Sequence, residues 1–227
     1  MSLEPVRRTG AAYVDVGPAL LAAAANGETG LTATIVSPAA LVLGSAQSEA
    51  DAATALDVVR RGTGGGAVLC DAGTLLIDLA APGGHPLAVE DVTEAYRPVG
   101  ETLQAALGGL GLACRTVGVE EARAMDDARK AAARRACWAG LSPYELVLAD
   151  GRKLVGLAQR RRKGAVLHQI AIPVTTPPAA VAEHLVDGAM LVPFLRETAM
   201  VAEAAGCGSA TPGGVWDAVR ESLRALV

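Results

Sequence analysis

Apolar residues in this chain form short segments separated by turn-forming residues, a pattern typical of strands in a packed sheet. Ser37-Pro38 and Asp150-Gly151 are two such turn signals, and Asp-Gly is a strong signal for a β-hairpin. The pattern predicts strands at residues 31–36, 40–43, 57–59, 75–80, 112–117, 144–148, 153–159 and 165–172.

Other segments repeat apolar residues at the period of a helix. They predict helices at residues 18–25, 49–56, 90–107, 181–191 and 215–226, while residues 120–136 are charged and either helical or loop-like. The segment 90–107 is the longest, and we expect it to pack across the sheet. The predicted fold class is therefore α+β, with a mixed, mostly antiparallel sheet covered by helices in a single domain over residues 1–227.

Composition and charge restrict the function classes. With 51% hydrophobic and 19% charged residues, the chain is globular rather than disordered. A net charge of −4 and 3% aromatic residues argue against a nucleic-acid partner. No apolar run is long enough to span a membrane, and the first residues lack the apolar core of a signal peptide. We expect a cytoplasmic protein that binds neither nucleic acid nor membrane.

The cysteines show no Cys-x-x-Cys pair; they are Cys70, Cys114, Cys137 and Cys207. This spacing argues against a zinc site or a disulfide framework, and we predict no metal site. Each thiol is then either a buried apolar residue or a nucleophile.

Residues 60–69 concentrate cations, glycines and a hydroxyl between two apolar segments. The glycines in this segment are Gly62, Gly64, Gly65 and Gly66, here named the glycine loop (residues 62–66). Glycine allows close approach of a backbone to a ligand, and outward N–H groups bind anions or carbonyl oxygens. Arg60 and Arg61 add guanidinium groups that hold phosphate or carboxylate oxygens. The alternative is a glycine-rich hairpin with no ligand.

Two familiar glycine motifs do not fit this segment. A dinucleotide-binding loop must open a helix, but the residues that follow are strand-like. A P-loop needs Gly-Lys-Ser or Gly-Lys-Thr at its end, and none is present.

Lys153 lies just after the predicted hairpin turn, in a chain whose other lysines are Lys130 and Lys163. If Lys153 faces the core, its ammonium must meet a carboxylate or an oxygen-bearing ligand. The alternative is an exposed lysine on a sheet edge, which discourages aggregation. Cys137 precedes a loop with Trp138 and Pro143, and a nearby cation such as Lys153 would activate its thiol. The alternative for Cys137 is an inert thiol.

A basic run ends the strand predicted at residues 153–159; it consists of Arg160, Arg161, Arg162 and Lys163. It is either a solvated turn or a docking surface for an acidic protein partner.

Together these segments resemble the catalytic domain of the lipoate–protein ligase, octanoyltransferase and biotin–protein ligase superfamily. Residues 60–71 match Arg-Arg-x-Ser/Thr-Gly-Gly-Gly-x-Val followed by a His-Asp pair, with Cys70 at the usual histidine position. Residues 151–168 match Gly-Arg-Lys-hydrophobic-x-Gly-x-Ala followed by Arg and Gly-x-Leu-x-His. Residues 41–47 look like the family's strand ending in Gly-x-x-Gln. The resemblance covers roughly residues 11–175.

The resemblance implies site residues. The glycine loop and its arginine lie along the acyl ligand in this family, and the lysine contacts the ligand's carbonyl region. It assigns acyl or substrate binding to Arg61, Thr63, Gly64, Gly65, Gly66, Gly156, Ala158 and His168, and catalysis to Cys137 and Lys153. If Cys137 is not the nucleophile, Cys70 is the first alternative, because it lies at the end of the glycine loop segment.

The resemblance also implies a reaction. Residues 137–145 have the Cys-aromatic-x-x-x-Ser-x-Tyr-Glu form of octanoyltransferases that resemble lipoate ligases, and the Asn-Asp pair usual in ATP-dependent ligases is missing. The lack of a C-terminal accessory domain points the same way. We therefore expect transfer of an octanoyl or lipoyl group from acyl carrier protein, through a cysteine thioester, to a lysine of a lipoyl-domain protein, with no cofactor. The alternatives are an ATP- and Mg-dependent lipoate–protein ligase and a degenerate, non-catalytic paralogue that binds an acyl group or carrier.

Overall fold

A computed structural model describes residues 4–206 and 210–227, so Cys207 lies outside the described residues. The strands are β1 (Val6–Arg8), β2 (Gly30–Val36), β3 (Ala40–Leu43), β4 (Asp57–Arg60), β5 (Val68–Cys70), β6 (Thr74–Ala81), β7 (Cys114–Thr116), β8 (Leu146–Leu148), β9 (Lys153–Arg162) and β10 (Ala165–Pro173). The α-helices are α1 (Gly10–Val14), α2 (Val16–Ala24), α3 (Arg97–Gly108), α4 (Val119–Arg123), α5 (Asp127–Arg135), α6 (Val192–Leu195), α7 (Val201–Ala204) and α8 (Pro212–Arg224).

The strands form two sheets. The larger has seven strands in the order β1-β2-β6-β10-β9-β8-β7, and the smaller has three in the order β4-β3-β5. Only β1–β2 and β3–β4 pair in parallel in these two sheets; the other neighbours are antiparallel. The predicted fold class, α+β with a mixed and mostly antiparallel sheet, is confirmed.

Strand β6 is buried along its whole length because both faces of the large sheet are covered. Leu75, Ile77 and Leu79 point into a core shared with α3 and α8. Leu76, on the opposite face, packs in a second core that includes the small sheet and the residues around Trp138. The candidate site residues lie on the side of the small sheet, except His168.

Three helix predictions were wrong in extent. In 49–56 only Glu49–Asp51 forms a 3₁₀ turn, because Ser48 and Asp51 close a capping box and Ala52 then pairs with Leu185 as an isolated bridge. In 181–191 the chain forms two 3₁₀ segments, Pro178–His184 and Gly188–Leu191. They are separated at Asp187, whose φ of 51° is left-handed.

The third is 90–107, where the α-helix begins only at Arg97, with Pro98 in its first turn. Val92, expected on the packed face, is 53% exposed because it precedes the helix.

Within the described residues, no helix is long and apolar enough to cross a membrane.

Candidate active site

A cleft of about 450 Å³ opens on the side of the small sheet. Its lining brings together predicted residues from separate parts of the chain, namely Gly64, Gly65, Cys137, Lys153 and Ala158. Behind it lies an inner cavity of about 40 Å³, lined by residues that include Tyr13, Cys70, Trp138, Gly156 and Ile170. Cys137, Leu157 and Ala158 line both spaces, so Cys137 lies where the open cleft meets the mostly apolar cavity.

The glycine loop is organised from inside by Arg61, whose side chain is buried. Its guanidinium donates to the carbonyl oxygens of Gly64 and Gly66, both at 2.8 Å, and to that of Val42 at 3.3 Å. These bonds turn the loop carbonyls toward Arg61. Within residues 4–206 and 210–227, the N–H groups of Gly64, Gly65 and Gly66 donate no hydrogen bond. The loop therefore offers unpaired donors, while Arg61 holds the loop in shape instead of extending a free fork toward a ligand.

Gly65 is the loop residue that approaches the thiol most closely. Its φ of +90° favours glycine, and a Cβ built there would lie 3.7 Å from the Sγ atom of Cys137. Gly64 has open space at that position. Gly66 instead packs its Cα against the backbone of Ala136, so it shapes the loop without lining the cleft.

Backbone hydrogen bonds attach the thiol segment to the glycine loop. The N–H of Ala67 donates to Arg135 O at 2.9 Å, and the N–H of Cys137 donates to Ala67 O at 3.1 Å. Gln47, the glutamine of the Gly-x-x-Gln segment, accepts from the N–H of Gly44 at 2.9 Å and donates to Arg135 O at 3.0 Å. Two motifs far apart in sequence thus position Cys137 beside Gly65.

Lys153 is buried, with 1% of its side chain exposed, so the exposed-edge interpretation was wrong. Its ammonium pairs with Glu145 at 2.8 Å and donates to the backbone oxygens of Cys137 at 3.1 Å and Gly140 at 3.0 Å. These three partners match the three N–H donors of a lysine. Lys153 therefore holds the backbone on both sides of Trp138 in place.

Glu145 was not identified from the sequence, although it ends the motif at residues 137–145. It is as buried as Lys153, and its carboxylate also accepts from the N–H groups of Ser142 at 2.7 Å and Leu157 at 2.9 Å. A buried charge needs such partners. The signal available in the sequence was a lone acidic residue in the strand expected to pair with that of Lys153.

Thr63 and Arg61 belong to a buried polar chain rather than to the cleft lining. Arg61 Nε donates to Thr63 Oγ1 at 3.0 Å, Thr63 donates to Gln169 Oε1 at 2.6 Å, and Gln169 donates to Asp78 Oδ1 at 2.6 Å. Asp78 is fully buried, and its other carboxylate oxygen has no hydrogen-bond partner among the described residues. Burial raises the pKa of Asp78 to about 6, against the hydrogen bond from Gln169.

His168 lies on the other face of the sheet and does not line the cleft. Its ring is buried, lies 3.3 Å from Leu87 O and meets Tyr96 edge-on at 5.6 Å between centroids. Burial lowers its pKa to about 4, so it is neutral near pH 7. Tyr96, not His168, reaches the cleft.

The basic run is divided between faces. Lys163 and Gly164 have φ of 51° and 80° and form the turn between β9 and β10. Arg161 is half-buried and donates to Gln159 at 2.7 Å, whereas Arg162 and Lys163 are exposed. The exposed Arg160 lies against Gly62, at the start of the glycine loop, so the run borders the loop.

A family model described as "Lipoyl protein ligase A/B catalytic domain" matches residues 19–192. This chain belongs to that family.

Among curated relatives, octanoyltransferase LipM of Bacillus cereus is 36% identical over 116 residues, 51% of this chain and 41% of the relative. LipM of Lysinibacillus sphaericus is 38% identical over 119 residues, which are 52% of this chain and 41% of that relative. The matched part spans less than half the length of these relatives.

Solved structures of lipoate–protein ligases share the fold. The bipartite lipoate protein ligase of Thermoplasma acidophilum superposes with a TM-score of 0.73 at 19% identity, covering 98% of this chain and 81% of the other. A lipoate-protein ligase A bound with ATP also superposes with a TM-score of 0.73 at 18% identity, covering 98% of this chain and 83% of the other. At these identities the likeness concerns the fold alone.

Proposed function

We propose that this protein is an acyltransferase that moves an octanoyl or lipoyl group from acyl carrier protein to a lysine of a lipoyl-domain protein, with Cys137 as nucleophile. The position of Cys137 carries the proposal. Its thiol lies between an open cleft and a mostly apolar cavity, 3.7 Å from where Gly65 would carry a Cβ. The relatives named octanoyltransferase LipM support the same reaction class.

The first step is thioester exchange. The Cys137 thiolate attacks the carbonyl carbon of the donor thioester, and the carrier thiolate leaves and takes up the proton that Cys137 lost. In the second step the neutral amine of the acceptor lysine attacks the Cys137 thioester. Cys137 leaves as thiolate and takes up the proton that the amine nitrogen loses as the amide forms. Neither step needs phosphate activation, because the thioester is conserved until the amide forms.

The oxyanion of each tetrahedral intermediate needs donors that are not already occupied. The unpaired N–H groups of Gly64 and Gly65 meet this need at the cleft surface. Lys153 supplies a nearby positive charge and holds the Cys137 carbonyl, so it acts as a positioning residue here. A direct hydrogen bond from Lys153 to the acyl oxygen would require it to exchange one of its three partners.

The acyl tail is assigned to the inner cavity, whose walls include Trp138, Leu157, Ile170 and the backbone of Gly156. At about 40 Å³ the cavity holds roughly three water-sized groups. The remaining carbons of an octanoyl chain must therefore lie in the cleft or displace side chains. Donors of different chain length will show which acyl group fits.

The test of the nucleophile is intact-protein mass after mixing with octanoyl carrier protein and no acceptor. We expect one added octanoyl group in the native protein and in Cys70→Ser, released by hydroxylamine, and no hydroxylamine-labile group in Cys137→Ser. A labile thioester that persists in Cys137→Ser would place the nucleophile elsewhere.

The test of the reaction adds a lipoyl-domain acceptor, with and without Mg-ATP. We expect transfer from the carrier without ATP. Transfer only from free octanoate and Mg-ATP would support the ligase instead. Tight carrier binding without transfer under any condition would support the non-catalytic paralogue.

The basic run is proposed as a docking site for the acidic carrier, now limited to its exposed members, Arg160, Arg162 and Lys163. Reversing these three charges to glutamate should lower kcat/KM for the carrier and flatten its salt dependence, because the Debye length is about 10 Å at 0.1 M salt. Reversal of Arg224, an exposed residue at the end of α8, is the control. Unchanged salt dependence in the triple variant would make the run a solvated turn.

A further inference from the structure

Helix α5 leads directly to Cys137 and carries basic residues of two kinds. Arg129 is bound to Ala139 O and to Glu197, and Arg135 is bound to Val186 O. Lys130 and Arg134 instead line the cleft. Among the residues that the structure describes, neither of these two side chains has a carboxylate or hydrogen-bond partner. They are four residues apart, so they lie on one helix face, separated by about 6 Å along the axis.

The cleft is consequently positive although the whole chain carries −4. Its acidic lining residue is Glu145, and that carboxylate is already paired with Lys153. Lys130 and Arg134 remain as uncompensated cations. A cleft lined by one sign of charge attracts an oppositely charged ligand.

We propose that Lys130 and Arg134 bind the phosphate ester of a pantetheine-linked acyl thioester. The inference rests on the proposed function and specifies its donor. With the reacting carbonyl at Cys137 and the acyl tail in the inner cavity, the thiol side of the donor leaves through the cleft, along the wall that α5 forms. A guanidinium fork and an ammonium group are well suited to phosphate oxygens. The signal for this pair in the sequence is weak and consists of two basic residues at i and i+4 shortly before Cys137.

Two small donors that differ only in the phosphate isolate this contact. The two donors are octanoyl-4′-phosphopantetheine and octanoyl-pantetheine. Intact mass measures how fast each donor acylates Cys137. The quantity compared is the acylation rate constant divided by the half-saturating concentration of that donor. We expect the native protein to prefer the phosphorylated donor by at least about tenfold, the ratio that corresponds to one charge-assisted hydrogen bond. In the double variant Lys130→Gln/Arg134→Gln the ratio should fall toward one. Arg123→Gln, on the exposed surface of α4, is the matched control and should retain the native ratio.

The outcomes separate this inference from the proposed function. A phosphate preference in the double variant equal to that of the native protein overturns the inference while leaving the acyl-enzyme intact. A loss of activity with octanoyl carrier protein but no change with the small donors means that Lys130 and Arg134 contact the carrier protein itself, which also overturns it. If no donor acylates the native protein, the proposed function fails. Calorimetric binding of 4′-phosphopantetheine and pantetheine then decides the inference independently, and equal affinities would disprove it.

Discussion

Cys70 and Cys137 line the same inner cavity, yet their surroundings differ sharply. Cys70 ends β5 and is 2% exposed, and burial raises its pKa to about 12 against the charge of Arg61. Cys137 is half-buried, also lines the cleft, and lies beside the unpaired N–H groups of the glycine loop. Cys70 is closer to the glycine motif in sequence, but Cys137 is the thiol that a substrate can reach. Access and local charge, rather than distance along the chain, separate a reactive thiol from an inert one.

The largest expected effect is on alkylation. At pH 8 a thiol with a pKa of about 12 is ionised to about one part in 10⁴. Iodoacetamide should therefore label Cys137 at least about 10²-fold faster than Cys70. Peptide mapping measures both rates, and in urea the two should converge. Equal labelling in the folded protein would remove the distinction between the thiols.

Next in size is loss of the support beneath Cys137. Lys153→Ala leaves Glu145 buried without its partner, which should lower the free energy of unfolding by about 3–5 kcal/mol. Urea denaturation measures the change. The double variant Lys153→Met/Glu145→Gln removes both charges and should regain much of the stability, yet acylate more slowly, because nothing donates to the Cys137 carbonyl from that side. Native stability in Lys153→Ala would contradict the buried pair.

The next prediction concerns how stability depends on pH, which we expect two buried groups, Asp78 and His168, to set. The charge of Asp78 also contributes to the raised pKa of Cys70. The folded pKa of Asp78, about 6, lies above that of an unfolded aspartate, so its contribution to stability falls by about 3 kcal/mol as pH rises from about 4 to 6. His168 has a folded pKa of about 4, below its unfolded value, and its contribution rises by about 3 kcal/mol from about pH 4 to 6.5. The two effects oppose each other.

Replacing one of these two groups shows the pH dependence of stability that the other causes. In Asp78→Asn only His168 remains, so the free energy of unfolding should increase as pH rises from about 4 to 6. In His168→Gln only Asp78 remains, so it should decrease over the same pH range. Urea unfolding at several pH values measures both slopes. Identical slopes in the two variants would show that these groups do not set the pH dependence.

The smallest effect separates two neighbouring glycines. Gly65→Ala forces a left-handed alanine, which costs about 1–2 kcal/mol, and places a methyl group near Cys137. Gly64→Ala, with open space at its Cβ position, should change stability by less than about 0.5 kcal/mol. Thermal or chemical denaturation of the two variants compares them directly. A larger loss for Gly64→Ala would contradict the loop conformation.

The elements set by local pattern were predictable from the sequence. The hairpin of β8 and β9 was predicted from the Asp150-Gly151 turn, and the family motifs predicted the residues that meet at the cleft, namely Gly64, Gly65, Cys137 and Lys153. The helix expected at 49–56 failed because a local capping box and a tertiary bridge compete with an alanine-rich period that is weakly apolar. The single domain over residues 1–227 and the roles of individual site residues stay predictions.

Orientation and pairing were not predictable. Arg61 was expected to face a ligand, but whether a guanidinium points into or out of its own loop depends on carbonyl directions that no sequence pattern encodes. Glu145 meets Lys153 only through the way β8 pairs with β9, which includes an irregularity between Leu146 and Val147. His168 matched its motif, yet the alternation of β10 places it on the face away from the cleft.

The two backbone hydrogen bonds that join Ala67 to the segment at Arg135 and Cys137 also bear on how the protein folds. They connect residues far apart in sequence, and contacts of this kind close a long loop whose entropy must be offset by structure formed elsewhere. The hairpin of β9 and β10 is local, so it forms without this cost. We therefore expect the contact between Cys137 and the glycine loop to form later in folding than the β9–β10 hairpin, although residues 62–66 are synthesised before Cys137.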